Sequence, residues 1–124
     1  MADAKLERLP AGGSVLYYTG AATRWGRPLE FVSTYAGLDA EASRWILDQG
    51  VVNVLTDAVS TDVPSDLGFP NHTAHAEYLV NHTEIVNNID RVPVHSGFGL
   101  LVAPLRLVGC TGSPARIFAL WDAA

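Results

Sequence analysis

Three of the four histidines, His72, His75 and His82, stand at successive spacings of three and seven residues in the second half of the chain. On an unbroken helix those spacings bring side chains near one face. Two or three imidazoles on one face bind zinc or another divalent cation. Against an unbroken helix, Asn81-His82-Thr83 reads as a helix end, and exposed or core-satisfied histidines are the commoner case. His95, after Pro93, adds no pattern. Among the carboxylates, Asp57 follows an apolar run and would stand at a strand's C-terminal end, where α/β folds place ligands. Glu84 is a conceivable acid/base partner, but nothing in the spacing brings the two together, and an isolated carboxylate is usually solvated or capping. Gly109-x-x-Gly112-Ser113-Pro114 has no following Lys, and Pro114 removes a backbone donor, so it reads as a tight turn rather than a phosphate cradle.

The elements that must position these groups are legible in outline. Pro10-Ala-Gly-Gly13 is a turn that feeds a strand over Ser14–Tyr18. Residues 21–36 are irregular, with Trp25-Gly26-Arg27-Pro28, and read as a long loop with partial order. Asp39 caps a helix running to Gln49: Glu41 lies in its first turn, Ala42, Trp45 and Ile46 fall at helical spacing, and Gly50 stops it. Val51–Leu55 is a buried strand, and the strand, helix, strand order predicts parallel pairing. Residues 60–71 are loop. Thr73 is expected to cap a second short helix through about Asn81. Three β-rich runs follow: Glu84–Val86, then Phe98–Ala103 with Leu105–Val108 interrupted by Pro104, and finally Ala115–Leu120.

Composition narrows the classes. At 124 residues, 48% hydrophobic and 17% charged, the chain has the make-up of one globular domain. A net charge of −5 offers no basic stripe for a phosphate backbone, which sets nucleic acid aside. No apolar run approaches the roughly 20 residues needed to cross a bilayer, and the first residues lack the pattern of a secretory signal, so the expected location is cytoplasmic. Cys110 is the only cysteine, which excludes an internal disulfide framework and a Cys-rich zinc ribbon. Asn71-His-Thr73 and Asn81-His-Thr83 match a glycosylation acceptor by coincidence.

Taken in order, the runs resemble a known family. Gly12-Gly13-Ser-Val-Leu-Tyr-Tyr-Thr19-Gly20, Arg24-Trp25-Gly26 and the stretch from Gly37 through Leu-Asp-Ala-Glu-Ala-Ser-Arg-Trp-Ile-Leu-Asp-Gln to Gly50 are similar to the middle of the cyclase family. That family includes bacterial kynurenine formamidase, isatin hydrolase and relatives used as polyketide cyclases. The likeness continues through Asp57-Ala-Val-Ser60-Thr-Asp62, His75, Phe98-Gly-Leu-Leu-Val-Ala-Pro104-Leu and Gly112-Ser-Pro-Ala-Arg-Ile-Phe-Ala119.

The resemblance implies an α/β chain with the swivelling β/β/α cyclase-like fold, truncated at the N-terminus. A mixed sheet with two or so helices, in a single domain over residues 1–124, is the expectation. It also implies a usually oligomeric assembly and a water-activating site of zinc, manganese or a similar ion. Most family ligands come from a His-x-Gly-Thr-His-x-Asp-x-Pro-x-His motif that this sequence does not contain. A later histidine and, twelve residues on, a glutamate complete the family site. His75 matches the histidine, and Asn87 occupies the glutamate's place. An amide brings only a neutral carbonyl to a cation, where a carboxylate brings charge. Glu84 on a strand would point away from Asn87 and is no substitute. The expected site is therefore His75 and Asp57 as catalytic groups, His75 and Asn87 as metal ligands, and Trp25, Tyr18 and Ser60 as substrate contacts.

Three functional readings follow. In the first, the chain is a subunit of a cyclase-family metal-dependent hydrolase or cyclase that acts on an amide, lactam or ester-like ring of a small, aromatic molecule. It would be kynurenine formamidase-like or polyketide cyclase-like, oligomeric with itself or with a longer homologue, and that partner would supply most ligands for zinc or manganese. In the second, it is a non-catalytic binding or stabilising module that has lost the metal site, which Asn87 favours. In the third, a homo-oligomer uses Asp57 or His75 as a base without metal.

Overall fold

The computed structural model describes residues 8–123, which fall into two compact units, one ending at Ile89 and one beginning at Asp90. The chain is α/β, as expected.

The first unit is built on a three-stranded parallel sheet with β1 (Ser14–Tyr17), β2 (Asn53–Thr56) and β3 (Asn81–Thr83) in the order β1-β2-β3. Ser14 pairs with Asn53 and Tyr17 with Thr56, while Asn53, Val54 and Leu55 pair with Asn81, His82 and Thr83. Parallel neighbours need long crossovers. Helix α1 (Pro28–Ser33) and helix α2 (Ala40–Asp48) lie between β1 and β2, and α3 (Pro70–Glu77) lies between β2 and β3. The central strand is the most buried, with Val54, Leu55 and Thr56 fully shielded from solvent, as the middle of a parallel sheet demands.

Helix α2 forms where the sequence places it. The Asp39 carboxylate accepts a hydrogen bond from the Ala42 amide at 2.7 Å, satisfying one of the helix's orphan N–H groups. Gly50 adopts φ 79 just past the helix end, a conformation that glycine reaches without a Cβ penalty. The inward face consists of Ser43, Ile46 and Leu47, and Trp45 is exposed rather than on the core face. Ile46 and Leu47 pack with Leu9, Val51, Val54 and Val80 into the principal core.

The expected loop over residues 21–36 is more ordered than its spacing suggests. It holds a 3-10 turn at Ala21–Arg24 and helix α1, with Pro28 at the first turn, where a missing N–H costs nothing. Ala21, Phe31 and Ala58 form a second small core beneath it.

Helix α3 starts earlier and stops earlier than expected. Thr73 is not its cap: the helix opens at Pro70 after Phe69, and the carboxylate of Asp62 accepts the Asn71 amide at 2.6 Å and the His72 amide at 3.3 Å. At the far end the Val80 amide donates to the His75 carbonyl at 2.9 Å and the Leu79 amide to the Ala76 carbonyl at 3.2 Å. With Leu79 at φ 55, this is a Schellman closure. It reverses the chain straight into β3, so Asn81-His82-Thr83 is a strand and not the end of a helix.

The second unit is an antiparallel hairpin of β4 (Gly99–Pro104) and β5 (Ala115–Leu120), with Leu101 opposite Phe118 and Val102 opposite Ile117. Parallel and antiparallel pairings thus occupy separate sheets. Leu105–Val108 does not extend the strand: the Leu105 amide turns to Ser113 Oγ at 3.0 Å, and the Leu107 amide donates to the Leu105 carbonyl at 3.1 Å.

Candidate metal centre

The chain reversal at Leu79 determines what the histidines do. A helix ending at Glu77 cannot carry His82 on its own face, so the sequence's helical route to a three-histidine stripe fails. Parallel return accomplishes part of the same end, because β3 runs back beside β2 and places His82 next to the residues of α3. The rings of His72 and His82 meet edge to face with centroids 4.4 Å apart, and those of His75 and His82 lie 5.3 Å apart.

Glu84 follows β3, two residues beyond His82, and side chains at i and i+2 of an extended chain share a face. Its Oε1 lies 3.3 Å from His72 Nε2 and accepts the Thr61 amide at 3.1 Å. One donor atom from each of His72, His82 and Glu84 falls within 4.8 Å of the other two. All three side chains are partly buried, enough to lower the local dielectric while leaving access.

A buried layer supports this group. Asp62 is 1% exposed, and its carboxylate contacts His72 Nδ1 while capping α3. Asn71, also buried, donates from its side-chain amide to the carbonyls of Leu38 and Thr61 at 2.8 and 2.9 Å. Gly37 packs so tightly on the Asp62 backbone that any Cβ there would collide with it. The loop carrying Asp62 is thereby pinned from two sides.

Electrostatics favour neutral imidazoles at His75 and His82. Burial, reinforced by His82 and His72, pushes His75 down to about 4, and burial followed by the His72 charge lowers His82. Neutral imidazole is the form that ligates a metal. Burial raises the Tyr17 phenol to about 12, with the carboxylates of Glu84, Asp57 and Asp62 adding to the rise. The left-handed residues Phe69, Leu79 and Ile85, at φ 48, 55 and 58, bracket the segment that carries His72, His82 and Glu84. Such non-glycine conformations cost energy and concentrate at functional sites.

The residues picked from sequence are distributed differently. His75 is 1% exposed, its Nδ1 lies 3.3 Å from His82 Nδ1, and its Nε2 finds no partner among the described residues. It stands behind the donor group rather than within it. Asn87 is exposed and is not among the clustered donors. Asp57 is fully buried and accepts three hydrogen bonds, from the Thr19 amide at 2.7 Å, the Thr19 hydroxyl at 2.8 Å and the Ala22 amide at 3.0 Å, so its carboxylate anchors the turn after β1. Ser60 is buried, and its Oγ accepts the Asp62 amide at 3.1 Å. Tyr18 and Trp25 are 44% and 45% exposed, and Trp25 packs edge-on to Phe31 with centroids 6.2 Å apart. Sequence reasoning missed the pairing of Glu84 with His72 and His82. The available signals were the two-residue spacing of His82 and Glu84 and the twelve-residue spacing of His72 and Glu84, the same as that of the family's histidine and glutamate.

Two imidazoles and a carboxylate are a donor set that fits a divalent cation, with coordination positions left open as in catalytic rather than structural sites. His72 stands between two carboxylates, with Nδ1 against Asp62 and Nε2 3.3 Å from Glu84 Oε1.

An α/β scaffold carries this donor group. The Cyclase family profile matches residues 1–63, just over half of the chain, and the chain belongs to that family. It is similar to three solved structures. An isatin hydrolase bound to the product analogue thioisatinate shares 25% identity at a TM-score of 0.83, over 94% of this chain and 48% of that one. A potential metal-dependent hydrolase with cyclase activity shares 25% identity at 0.74, over 94% and 54%. A predicted metal-dependent hydrolase from Bacillus stearothermophilus shares 26% at 0.72, over 90% and 51%. The chain spans about half the length of the structures it matches. No curated protein matches it. Among the described residues, no helix is long and apolar enough to cross a membrane.

Proposed function

We propose that this chain contributes His72, His82 and Glu84 to a zinc or manganese centre in a cyclase-family hydrolase that opens or closes an amide, lactam or ester-like ring. The observation that carries the reading is the convergence of those three donors above a buried Asp62. A bound divalent ion supplies Lewis acidity, lowering the pKa of water and polarising a carbonyl. The chain's own contribution is to hold the donors on packed elements: α3 fixes His72, β3 fixes His82, and the Thr61 amide fixes Glu84 Oε1. Exposed Trp25 and Tyr18 offer aromatic surface to a flat substrate.

Three protein donors leave room for further ligands, and the family's histidine-rich motif is not in this sequence. A second copy or a longer homologue bringing additional donors accords with both facts. The proposed setting is the cytoplasm, where an exposed Cys110 stays reduced.

A second reading, a binding module without catalysis, accords with a donor group of three residues, short of the family's full ligand set. The two are separated by native mass spectrometry with elemental analysis on the assembly purified from its source, followed by turnover of an isatin-type lactam and an N-formyl aromatic amide. Bound divalent metal with turnover that falls at least 100-fold in Glu84→Gln supports the hydrolase. A metal-free homo-oligomer that binds such molecules unchanged overturns it and supports the binding module.

A further inference from the structure

We infer that Phe69 is a specificity-determining residue, an aromatic wall beside His72 against which the flat ring of an aryl amide or lactam lies while its carbonyl meets the metal. The inference rests on the reading of His72, His82 and Glu84 as a metal centre and adds to it a residue that is not one of its donors.

Neither the turn nor the core accounts for a phenylalanine at this position. Phe69 adopts φ 48 and ψ 53, in the left-handed region, at the residue that opens α3. That conformation is costly for a side chain with a Cβ, and Pro70 directly after it favours extended backbone in its predecessor. Glycine or asparagine would take the same turn with less strain. Burial does not explain the ring either, because Phe69 is 51% exposed and belongs to neither core cluster. What the ring does touch is His72, edge to face, with centroids 5.8 Å apart and planes at 80°. Among the described residues, Phe69 is the one ring other than histidine in aromatic contact with the donor group.

The wall is held rigidly. The Phe69 carbonyl accepts the Thr73 amide at 3.1 Å and the Thr73 hydroxyl at 3.2 Å, so the first turn of α3 fixes the residue that carries the ring. Three residues on, His72 is held against Asp62 with Nε2 3.3 Å from Glu84 Oε1. The free half of Phe69 thus stands next to a His72 side chain that is itself 33% exposed. An apolar ring left in water beside a donor group gains when another ring covers it. Aromatic rings gain further from the match of their quadrupoles, which a saturated ring of similar apolar surface lacks. Phe69 therefore discriminates a phenyl from a cyclohexyl group attached to the same metal-binding head.

The test uses the full chain loaded with zinc, with uptake measured by elemental analysis, and two probes that share a zinc-binding head, benzohydroxamate and cyclohexanecarbohydroxamate. Dissociation constants are read by isothermal titration calorimetry at saturating zinc. The wild type is expected to favour the phenyl compound by about 3–10-fold. Phe69→Leu, which keeps apolar bulk without a ring, is expected to bind the two within about twofold of each other. Phe69→Gly, which relieves the left-handed strain, should show the same loss of preference and carries the decision should the leucine variant fail to fold. Zinc uptake with no phenyl preference in the wild type overturns the inference and leaves the centre standing. A preference that survives in the variants does the same and passes the role to another aromatic such as Trp25. A wild-type chain that takes up no zinc overturns the reading of the centre, and the inference with it.

Discussion

His75 and His82 are brought to 3.3 Å, Nδ1 to Nδ1, by a helix that stops two residues after one of them and a strand that begins one residue before the other. The chemistry of the candidate centre therefore depends on the turn between them, and that turn is closed by a residue ill suited to it.

Leu79 sits at φ 55 and is 89% exposed. Its side chain buries almost nothing, while its Cβ carries the steric cost of the left-handed conformation, about 1 kcal/mol. Leu79→Gly is expected to stabilise the fold by about that amount, read as a higher urea midpoint with unchanged slope. A midpoint that falls would show that the leucine contributes contacts outweighing its strain.

Asp57 is expected to behave as an anchor. Asp57→Ala leaves the Thr19 and Ala22 amides without their buried acceptor and should cost about 3 kcal/mol. In chelator-treated samples the loss appears as reduced denaturant stability, and zinc affinity of the folded fraction stays within about twofold. A large loss of affinity with stability intact would return Asp57 to the site.

Tyr17 gives the chain an alkaline limit. Burial raises its phenol to about 12, above the ordinary 10, so the folded state prefers the neutral form. That contribution is fully present below pH 10 and is lost as pH rises from 10 through 12, for a total of about 3 kcal/mol. Denaturant titrations from pH 9 to 12 should show this decline, and Tyr17→Phe should flatten it. An identical decline in the variant would assign the alkaline loss to other groups.

The cap of α2 offers a control far from the histidines. Asp39→Ala removes the acceptor of the Ala42 amide and is expected to cost about 1 kcal/mol, measured by thermal unfolding, with metal affinity unchanged. No shift in the melting temperature would mean that water replaces the cap at no cost.

These outcomes bear on why some of the molecule could be read from its residues and some could not. Helix α2 was legible because its signals are local: Asp39 before it, Ile46 and Leu47 within it, Gly50 after it. The strand at Asn53–Thr56 and the two arms of the hairpin announced themselves through β-branched and apolar runs. Helix α1 was missed although Pro28 marked its first turn, because its six residues are too few to show a periodic face. The end of α3 was misplaced because Leu79 occupies a position where glycine is the usual sign. With that boundary wrong by a turn, Asn81-His82-Thr83 reads as a helix end instead of a strand. His75 drew attention through the family resemblance, yet the fold sets it behind His82, and Asn87 stays at the surface. His72 and Glu84 stand twelve residues apart, the spacing of the histidine and glutamate of the family site, so the pair was legible in the sequence once the resemblance is shifted three residues from His75 and Asn87.

The short path from His72 to Glu84 has a kinetic consequence. The donor group lies on one helix, one strand and the residue that follows it, so assembling it requires little loop closure. Its contacts are local compared with those joining β1 to β2, and local contacts form early in folding. A cation able to bind this segment would act on the nascent chain before the sheet is complete. Metal supply during synthesis would then influence how efficiently the chain folds, as well as what the folded protein does.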